Sequence, residues 1–338
     1  MSAASARRVE IGIGLQSDKE PGRYAQIASR AEALGIDVVT VFSDLLYQPP
    51  VAPLLEVAKA TERVRLGVAC WNPYTLHPYE IAGQLAALDR ASGGRAYLGL
   101  AKGTWLDAIG LGQPTPLRAL EDAAGFIRAL LSGDGEGYEG RMFRLEPGVR
   151  LRYTLERADP PLLIGSWGPR GAELAGRIAD EIKIGGSANP AMVGVTRERL
   201  AVGEAAAGRP LGSVGVVLGA VTVVSLDRTA ARTHARRQVA MYLDAIAALD
   251  PTVTLPEDLL PRIRELLRDG DEEAAGRLVP SDVLDLFAFS GTPDDVAAQA
   301  QSLIDAGVAR VEFGTPLGID ELEGLELLGT RVLPQLER

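Results

Sequence analysis

The sequence predicts an α/β fold, specifically a closed (β/α)8 TIM barrel with a helical insertion before the last strand. Short runs rich in β-branched residues alternate with longer helical segments along the 338 residues, and eight such runs are present. Strands joined by right-handed crossovers either close into a barrel or spread into a doubly wound sheet, and eight strands favour the barrel. No Pro/Gly/Ser-rich linker divides the chain. We therefore expect one domain over residues 1–338, with the insertion at roughly 228–290 and a loose tail of seven or eight residues at the start.

The first half of the chain supplies four strand–helix pairs. The first helix is predicted at 22–34, because Ile27, Ala28, Ala31 and Leu34 share one helical face and Gly35 ends it. Gly93 and Gly94 end the third helix in the same way. The predicted strands are 9–15, 37–42, 64–70 and 96–100, and the predicted helices are 22–34, 51–61, 78–91 and 117–131.

The second half repeats the pattern after a Gly-rich excursion at 132–140, which we expect to be exposed to solvent. Four helices separate the last two strands, and the first three of them form the predicted insertion. The predicted strands are 162–166, 181–184, 214–225 and 308–314. The predicted helices are 171–179, 190–207, 228–249, 256–268, 280–287, 293–306 and 321–336.

Charge and composition exclude several classes of function. The formal net charge is −10, which disfavours nucleic acid and anionic membranes, since both attract basic surfaces. No stretch reaches the roughly 20 apolar residues of a membrane helix. A single cysteine, Cys70, permits no intrachain disulfide, and this fits a reducing cytoplasm. We expect a cytoplasmic enzyme with a small-molecule substrate.

In a barrel of this kind the active site lies at the C-terminal ends of the strands. Asp44 follows the apolar second strand, where a carboxylate at the barrel mouth favours a functional role over the alternative of helix capping. The segment 165–171 runs from a strand into a helix start, where free N–H groups and Arg170 favour a phosphate. An ordinary strand–helix turn is the alternative there. Gly99 and Gly103 permit close approach of a flat ligand, although a segment of this kind more often reflects barrel packing.

The remaining reactive side chains are few. His77 lies in a loop expected to face the site, where it acts either as a proton donor or as a cap for the next helix, and His234 is expected on the surface. Two isolated histidines and one cysteine make no metal site, so no metal is expected. Cys70 is interpreted as a packing residue rather than a nucleophile.

Several motifs carry a resemblance to a known family. They are LGVAC and NPYTLHP (66–70 and 72–78), ALDRASGGR with LGL (87–95 and 98–100), Gly168-Pro169 ahead of LAG and AD (174–176 and 179–180), and GTPDD, DAGV and PLG (291–295, 305–308 and 316–318). In these loops the sequence resembles the luciferase-like flavin and deazaflavin oxidoreductases, and among them the methylenetetrahydromethanopterin reductases. The match follows the family order over nearly the whole chain.

The resemblance implies an oxidoreductase that binds the deazaflavin coenzyme F420, with FMN as the alternative, at the C-terminal face. It implies a non-proline cis peptide bond at Ala69–Cys70, forming a bulge behind the ring, and places Asp44 near the ring. It further implies phosphate binding near Gly168 to Arg170. The expected cofactor-binding residues are Ser43, Asp44, Ala69, Cys70, Asn72, Lys102, Gly103, Asp107, Ser166, Trp167, Gly168, Pro169 and Arg170.

Three positions depart from the reductase pattern. Gly14 stands where the reductases have a glutamate at the end of strand one, Leu45 where many relatives have histidine, and Thr104 where an acidic residue is common. The proton donor is therefore open, with candidates listed as Tyr74, His77, Lys102 and Gln16.

Three functions remain open from the sequence. The first is an F420-dependent reductase acting on an activated C=N or C=C bond. The others are an FMN-dependent monooxygenase and a non-catalytic flavin-binding protein. Relatives of this kind are usually dimers, so we expect a homodimer, for which the surface around residues 73–91 is a candidate.

Overall fold

A computed structural model describes residues 8–338, and the predicted N-terminal tail lies outside them apart from Arg8. Eight parallel strands close into a barrel, because the last of the eight in chain order pairs both with the barrel strand before it and with the first. In chain order the strands are β1 Glu10–Leu15, β2 Val38–Phe42, β3 Arg65–Ala69, β4 Ala96–Ala101, β5 Tyr138–Glu139, β6 Arg144–Leu145, β7 Leu162–Gly165, β8 Glu181–Gly185, β9 Gly215–Val224, β10 Ala288–Gly291 and β11 Arg310–Gly318. The barrel order is β1, β2, β3, β4, β7, β8, β9 and β11, which confirms the predicted fold class.

Helices cover the outside of the barrel. They are α1 Arg23–Ala33, α2 Val51–Ala60, α3 Pro78–Ser92, α4 Pro116–Ser132, α5 Pro169–Ile178, α6 Ala191–Ala206, α7 Arg228–Ile246, α8 Leu259–Arg268, α9 Glu272–Leu278, α10 Ser281–Phe287, α11 Pro293–Asp305 and α12 Glu321–Leu327. The main core lies between them and the strands, where the outward residues of the strands are mostly aliphatic, as Ile11 and Ile13 are in β1. No helix within residues 8–338 is long and apolar enough to cross a membrane.

The segment between β9 and β11 differs most from the prediction. It contains α7 to α10 with a hydrophobic cluster of their own, followed by β10, which extends the sheet beside β9. The helix α9 was not predicted, because its acidic start resembles a solvated turn. In the structure Asp271 caps this helix by accepting a hydrogen bond from the N–H of Ala274. The strand β10 was missed because it has four residues and follows α10 directly. The division of the chain into a single domain stays a prediction.

Two further segments depart from their predicted form. The predicted excursion contains the start of a short hairpin, in which β5 pairs antiparallel with β6. The predicted helix 321–336 is regular only as far as Leu327 and continues as a π-helical turn and a 3₁₀ turn. Pro334 cannot extend an α-helix, because its ring clashes with the preceding turn.

Six charged side chains inside the barrel form a set that we call the charged column: Glu10, Arg65, Glu181, Arg310, Glu312 and Lys183. Adjacent members lie 2.6 Å (Glu10 and Arg65), 3.2 Å (Arg65 and Glu181), 3.3 Å (Glu181 and Arg310) and 4.0 Å (Arg310 and Glu312) apart, and Lys183 contacts Glu312. The column carries three positive and three negative groups, so the charges are paired, as burial in a protein interior requires.

Glycines on the inner faces of neighbouring strands make room for these side chains. A Cβ at Gly14 would lie 2.9 Å from a carboxylate oxygen of Glu312, and one at Gly219 would lie 3.0 Å from the Cβ of Glu312. A Cβ at Gly67 would lie 2.6 Å from the ring of Tyr97. Large and small residues thus alternate around the barrel, which fills its interior.

Candidate active site

The loops after β1, β2, β3, β4, β7 and β8 form the mouth of the barrel, and the predicted site residues are distributed among them. Parallel strands place all their C-terminal ends at one end of the barrel. Ser43 and Asp44 follow β2, and the backbone N–H of Ser43 donates to the carbonyl of Ala69 at the end of β3, 3.3 Å away. The sequence therefore located these loops at the same end of the molecule.

The carboxyl group of Asp44 lies in a perturbed electrostatic environment at the mouth. The residue is exposed at the mouth, yet the protein atoms around its carboxyl group withhold water from it, and this desolvation raises its pKa above the ordinary value of 3.8. A hydrogen bond from Gln16 and the positive charge of Lys183 act in the opposite direction. Asp44 therefore keeps a proton to higher pH than a solvated aspartate does.

The peptide bond between Ala69 and Cys70 is cis, as the resemblance implied. Gly99 accommodates the chain here, since a Cβ on it would lie 2.0 Å from the carbonyl oxygen of Val68. Gly99 therefore serves barrel packing, the second of its two interpretations. Desolvation raises the pKa of the Cys70 thiol to about 12, which agrees with a packing role.

The loop after β3 is fixed by its own polar side chain. The Oδ1 atom of Asn72 accepts from the N–H groups of Tyr74 and Thr75, at 3.1 and 2.9 Å. Because Asn72 is buried and satisfied locally, its contribution is to shape the loop.

The loop after β4 carries three of the predicted cofactor residues. Gly103 has a left-handed backbone with φ of +83°, a conformation that glycine adopts without strain. The side chain of Gln113 donates to the carbonyls of Lys102 and Gly103 and so holds this loop. Lys102 and Asp107 are exposed there.

The segment from Ser166 to Arg170 leads from β7 into α5. Gly168 occupies the N-cap position and has no side chain to accept from the first turn, and Pro169 follows at the start of the helix. The indole N–H of Trp167 donates to the carbonyl of Gly185 at 3.0 Å, which fastens the loop to the end of β8. Arg170 is exposed. An uncapped helix start beside an exposed arginine is suited to binding an anion.

The four proton-donor candidates have different environments. Gln16 faces Asp44, and Lys102 is exposed on the β4 loop. The hydroxyl of Tyr74 donates to the carbonyl of Pro114 at 2.7 Å. His77 caps α3 by accepting from the N–H of Tyr79, and its ring stands edge-on to Phe126 and Phe143. These contacts place His77 in the helical layer and favour the capping interpretation.

Sequence reasoning missed the buried groups beneath the mouth, namely Lys183, Glu312, Thr40 and Tyr97. The hydroxyl of Thr40 donates to Glu312 at 2.8 Å and lies 2.8 Å from the hydroxyl of Tyr97. The available signal was the alternation of charged and apolar residues in Glu181-Ile182-Lys183-Ile184 and Arg310-Val311-Glu312-Phe313. In a barrel covered by helices on the outside, such charges must face inward.

Glu312 also accounts for one of the departures noted in the sequence. Its carboxylate and the ring of Phe42 together fill the space that a side chain at Gly14 would occupy. Burial alone would raise the pKa of Glu312, but the charges of Lys183 and Arg310 and hydrogen bonds from Lys183 and Thr40 hold it below its ordinary value. The carboxylate is therefore ionised.

The sequence is similar to known proteins over almost its whole length. The model of the family described as luciferase-like monooxygenase matches residues 5–310. A 5,10-methylenetetrahydromethanopterin reductase of Archaeoglobus fulgidus is 30% identical over 97% of this chain and 100% of its own length. An F420-dependent glucose-6-phosphate dehydrogenase of Nakamurella multipartita is 29% identical, with 96% of each chain covered.

A solved structure agrees over the same length. The coenzyme F420 dependent tetrahydromethanopterin reductase from Methanopyrus kandleri superimposes with a TM-score of 0.87 at 26% identity, covering 98% of this chain and 100% of that one. The family model extends over most of the sequence, and a relative of full length reaches 30% identity. The chain therefore belongs to the luciferase-like monooxygenase family.

Proposed function

We propose that the protein is a coenzyme F420-dependent oxidoreductase, which transfers a hydride between the deazaflavin and a small organic substrate with an activated C=N or C=C bond. The observation that carries the proposal is the agreement, over 98% of the chain, with a solved reductase described as F420 dependent. A second relative described as F420-dependent, the glucose-6-phosphate dehydrogenase, differs from it in substrate. For that reason we propose a class of substrate, defined by its activated C=N or C=C bond, rather than one compound.

The residues at the mouth fit a phosphate-bearing planar cofactor. Gly168, Pro169 and Arg170 offer an uncapped helix start and a guanidinium for the phosphate. At the floor, a Cβ built on Gly185 meets no heavy atom of the described chain within 4 Å, so open space lies above this glycine. Gly165 differs, because a Cβ there would lie 3.0 Å from the sulfur of Cys70. The end of β8 thus leaves room for the planar ring of the cofactor.

In this proposal the remaining predicted residues bind and orient. Ser43, Asp44, Ala69 and Cys70 border the ring on the β2 and β3 side, and Asn72 holds the β3 loop. Lys102, Gly103 and Asp107 border it on the β4 side, while Ser166 and Trp167 lead to the phosphate site. A deazaflavin supplies hydride chemistry when it is bound, and the protein supplies position and electrostatics.

Reduction of a C=N or C=C bond also consumes a proton, and we assign its delivery to Asp44. Desolvation keeps this carboxyl group protonated to higher pH than usual, and the side chain is open at the mouth. The side chain of Gln16 lies beside it and favours its ionised form. Tyr74 and His77 are committed to other contacts, as described above, so we leave them out of the proposed machinery.

The binding preference of the purified protein tests the cofactor. We expect F420 to bind tightly and FMN weakly when each is titrated in its oxidised form and followed by calorimetry. Arg170→Ala should weaken F420 binding about tenfold, since one charge-assisted hydrogen bond contributes roughly 1.5 kcal/mol or more. Arg152→Ala is the matched control, because Arg152 is an exposed arginine between β6 and β7 and is not among the residues proposed to bind the cofactor.

The other outcomes contradict the proposal in different ways. A preference for FMN would support an oxygen-dependent monooxygenase. Binding of neither compound would leave a barrel of this family without the proposed cofactor. If Arg170→Ala and Arg152→Ala lowered the F420 affinity equally, the phosphate would not be bound at the start of α5.

The assembly and location of the protein are further parts of the proposal. We propose a cytoplasmic homodimer that uses the surface around residues 73–91, where Tyr79 is an exposed aromatic residue. Sedimentation at micromolar concentration tests the dimer, and a monomer there would contradict it.

A further inference from the structure

A cleft between three helices of the insertion carries a cluster of arginines that the proposed function does not use. It has a volume of about 360 Å³ and lies between the first half of α7, the helix α9 and the start of α10. Among the residues that the structure describes, its lining comes from the insertion and not from the loops at the mouth. We call it the arginine cleft, after Arg236, Arg237 and Arg277 on its walls.

The helix α7 concentrates positive charge on one wall of this cleft. Four arginines fall within residues 228–237, and no carboxylate occurs in the helix before Asp244, although the whole chain has a formal net charge of −10. Arginines four residues apart, such as Arg232 and Arg236, lie on the same face of a helix and repel each other. A negative group placed against this face would therefore stabilise the helix.

Arg236 is a half-buried cation that binds neutral acceptors. Its Nε donates to the carbonyl of Val279 at 3.0 Å, and one terminal nitrogen donates to the hydroxyl of Ser281 at 2.7 Å. Asp285 attracts it from a longer distance, but this carboxylate is bound to Arg232 at 2.6 Å. Burial and the like charge of Arg232 lower the pKa of Arg236. The two hydrogen bonds fix the guanidinium, and its other terminal nitrogen donates to no atom of the described chain.

Arg237 faces the same cleft with a donor that the described part of the protein does not use. Its Nε is buried and has no hydrogen-bond partner there, since the carboxylate of Glu272 is 3.7 Å away. A buried N–H group without an acceptor carries a desolvation cost. A Cβ on Gly276 would lie 3.0 Å from the backbone of Arg237, so α9 packs directly on α7. This close approach brings Arg277 of α9 to the same cleft.

We propose that the arginine cleft binds a phosphate group, at a site separate from the proposed cofactor site. Guanidinium groups bind phosphate through paired, charge-assisted hydrogen bonds. The hydroxyls of Thr233 and Ser281 also line the cleft and supply neutral hydrogen-bonding groups. Small-molecule sites begin at about 300 Å³, so the cleft has room for a small phosphate ester as well as for the free ion.

One acidic side chain in the cleft gives the proposal a test with the opposite sign. Glu273 lines the arginine cleft and an adjoining cavity of about 310 Å³, and its carboxylate pairs with Arg277 at 3.4 Å. A phosphate in the cleft competes with this carboxylate for the arginine and is repelled by it. Removal of this acidic charge should therefore strengthen binding, whereas removal of an arginine should weaken it.

Calorimetric titration with inorganic phosphate and with glycerol phosphate, in the absence of F420, tests the site. Every protein in the test carries Arg170→Ala, which removes the guanidinium from the proposed phosphate site at the start of α5. We expect a dissociation constant of about 1 mM or below for at least one of the two compounds. Tighter binding of the ester would identify a phosphorylated metabolite as the ligand, and tighter binding of phosphate would identify the free ion.

Three further substitutions assign the binding to the arginine cleft. Arg236→Gln should weaken it about tenfold, the effect of losing one charge-assisted hydrogen bond. Because Arg236 also holds Val279 and Ser281, Arg277→Gln repeats the test at a side chain that is 66% exposed. Glu273→Gln should tighten binding, since it leaves the arginines without their competing carboxylate.

Arg262→Gln is the matched control, because Arg262 is an exposed arginine of α8 that pairs with Asp258 and does not line the cleft. We expect its affinity for phosphate to equal that of the parent protein. Any one of three results would overturn the proposal: dissociation constants above about 1 mM for both compounds, unchanged affinity in both Arg236→Gln and Arg277→Gln, or an equal loss in Arg262→Gln. The titrations contain no F420, so a failure of the proposed cofactor would leave them readable.

Discussion

The outer face of the eight barrel strands is apolar, whereas the inner face combines charged residues and glycines with a small apolar cluster of Val38, Tyr97, Leu163 and Val217. In β8, Ile182 and Ile184 point outward to the helices, whereas Glu181 and Lys183 lie in the charged column. The same division holds in β11, where Phe313 belongs to the main core and Glu312 to the column. The outer face gains free energy by burying apolar surface. The inner face pairs charges and uses glycines to make room for them.

This difference separates stability from electrostatics within one element. A change on the outer face should alter the free energy of unfolding and leave the mouth intact. A change on the inner face should alter the space or the field at the mouth. The predictions below test that separation, from the largest expected effect to the smallest.

Phe313→Ala should cause the largest loss of stability. Phe313 is fully buried, and its ring packs edge-on against Phe289 with centroids 5.2 Å apart. Truncation of such a side chain costs about 3–5 kcal/mol. Urea unfolding measures the change, and F420 affinity of the folded fraction should equal that of the wild type. A loss below about 1 kcal/mol would contradict the assignment of stability to the outer face.

Gly99→Ala and Gly185→Ala compare two glycines of the inner face. The new Cβ at Gly99 would lie 2.0 Å from a backbone oxygen, and backbone yields less readily than a side chain. We expect Gly99→Ala to cost about 1–3 kcal/mol or more. Gly185→Ala meets no such obstacle in the described chain and should change stability by less than about 1 kcal/mol.

Of these two variants, Gly185→Ala is the one that tests the site. Gly185→Ala should weaken F420 binding, because the methyl group enters the open floor. Calorimetry on the folded variant measures this effect. Unchanged affinity together with unchanged stability would show that the ring lies elsewhere.

Asp44→Asn should give the smallest effect, a pH-dependent gain in stability. The pKa of Asp44 is raised in the folded state, so ionisation of this group disfavours the folded protein at neutral pH. The variant removes that cost. The gain should be fully present above the raised pKa, shrink as pH falls through it, and vanish below the ordinary value near 3.8.

Urea midpoints of the variant and the wild type across this pH range measure the difference. Asp107→Asn, in an exposed turn after β4, is the control carboxylate. A gain in stability that does not change with pH would show that it has a cause other than the titration of Asp44.

The same division explains what the sequence could predict. The eight barrel strands were located because their outward residues are aliphatic and recur with the period of a strand, and the mouth followed from the rule that parallel strands end together. Asp44 was found in this way. Lys183 and Glu312 were missed, because they are 129 residues apart and face each other only after the barrel closes. His77 was left open, since a cap and a proton donor share the same sequence position until packing shows which atoms surround the ring.

The transfer of deuterium tests the central claim most directly. Reduced F420 carrying deuterium at the reacting carbon would be mixed with the protein and a panel of imines and enones, under air and without it. We predict a product that carries this deuterium on a carbon of the former double bond, formed at the same rate in both atmospheres. A product that contains an oxygen atom from air, or one formed only with FMN, would contradict the account.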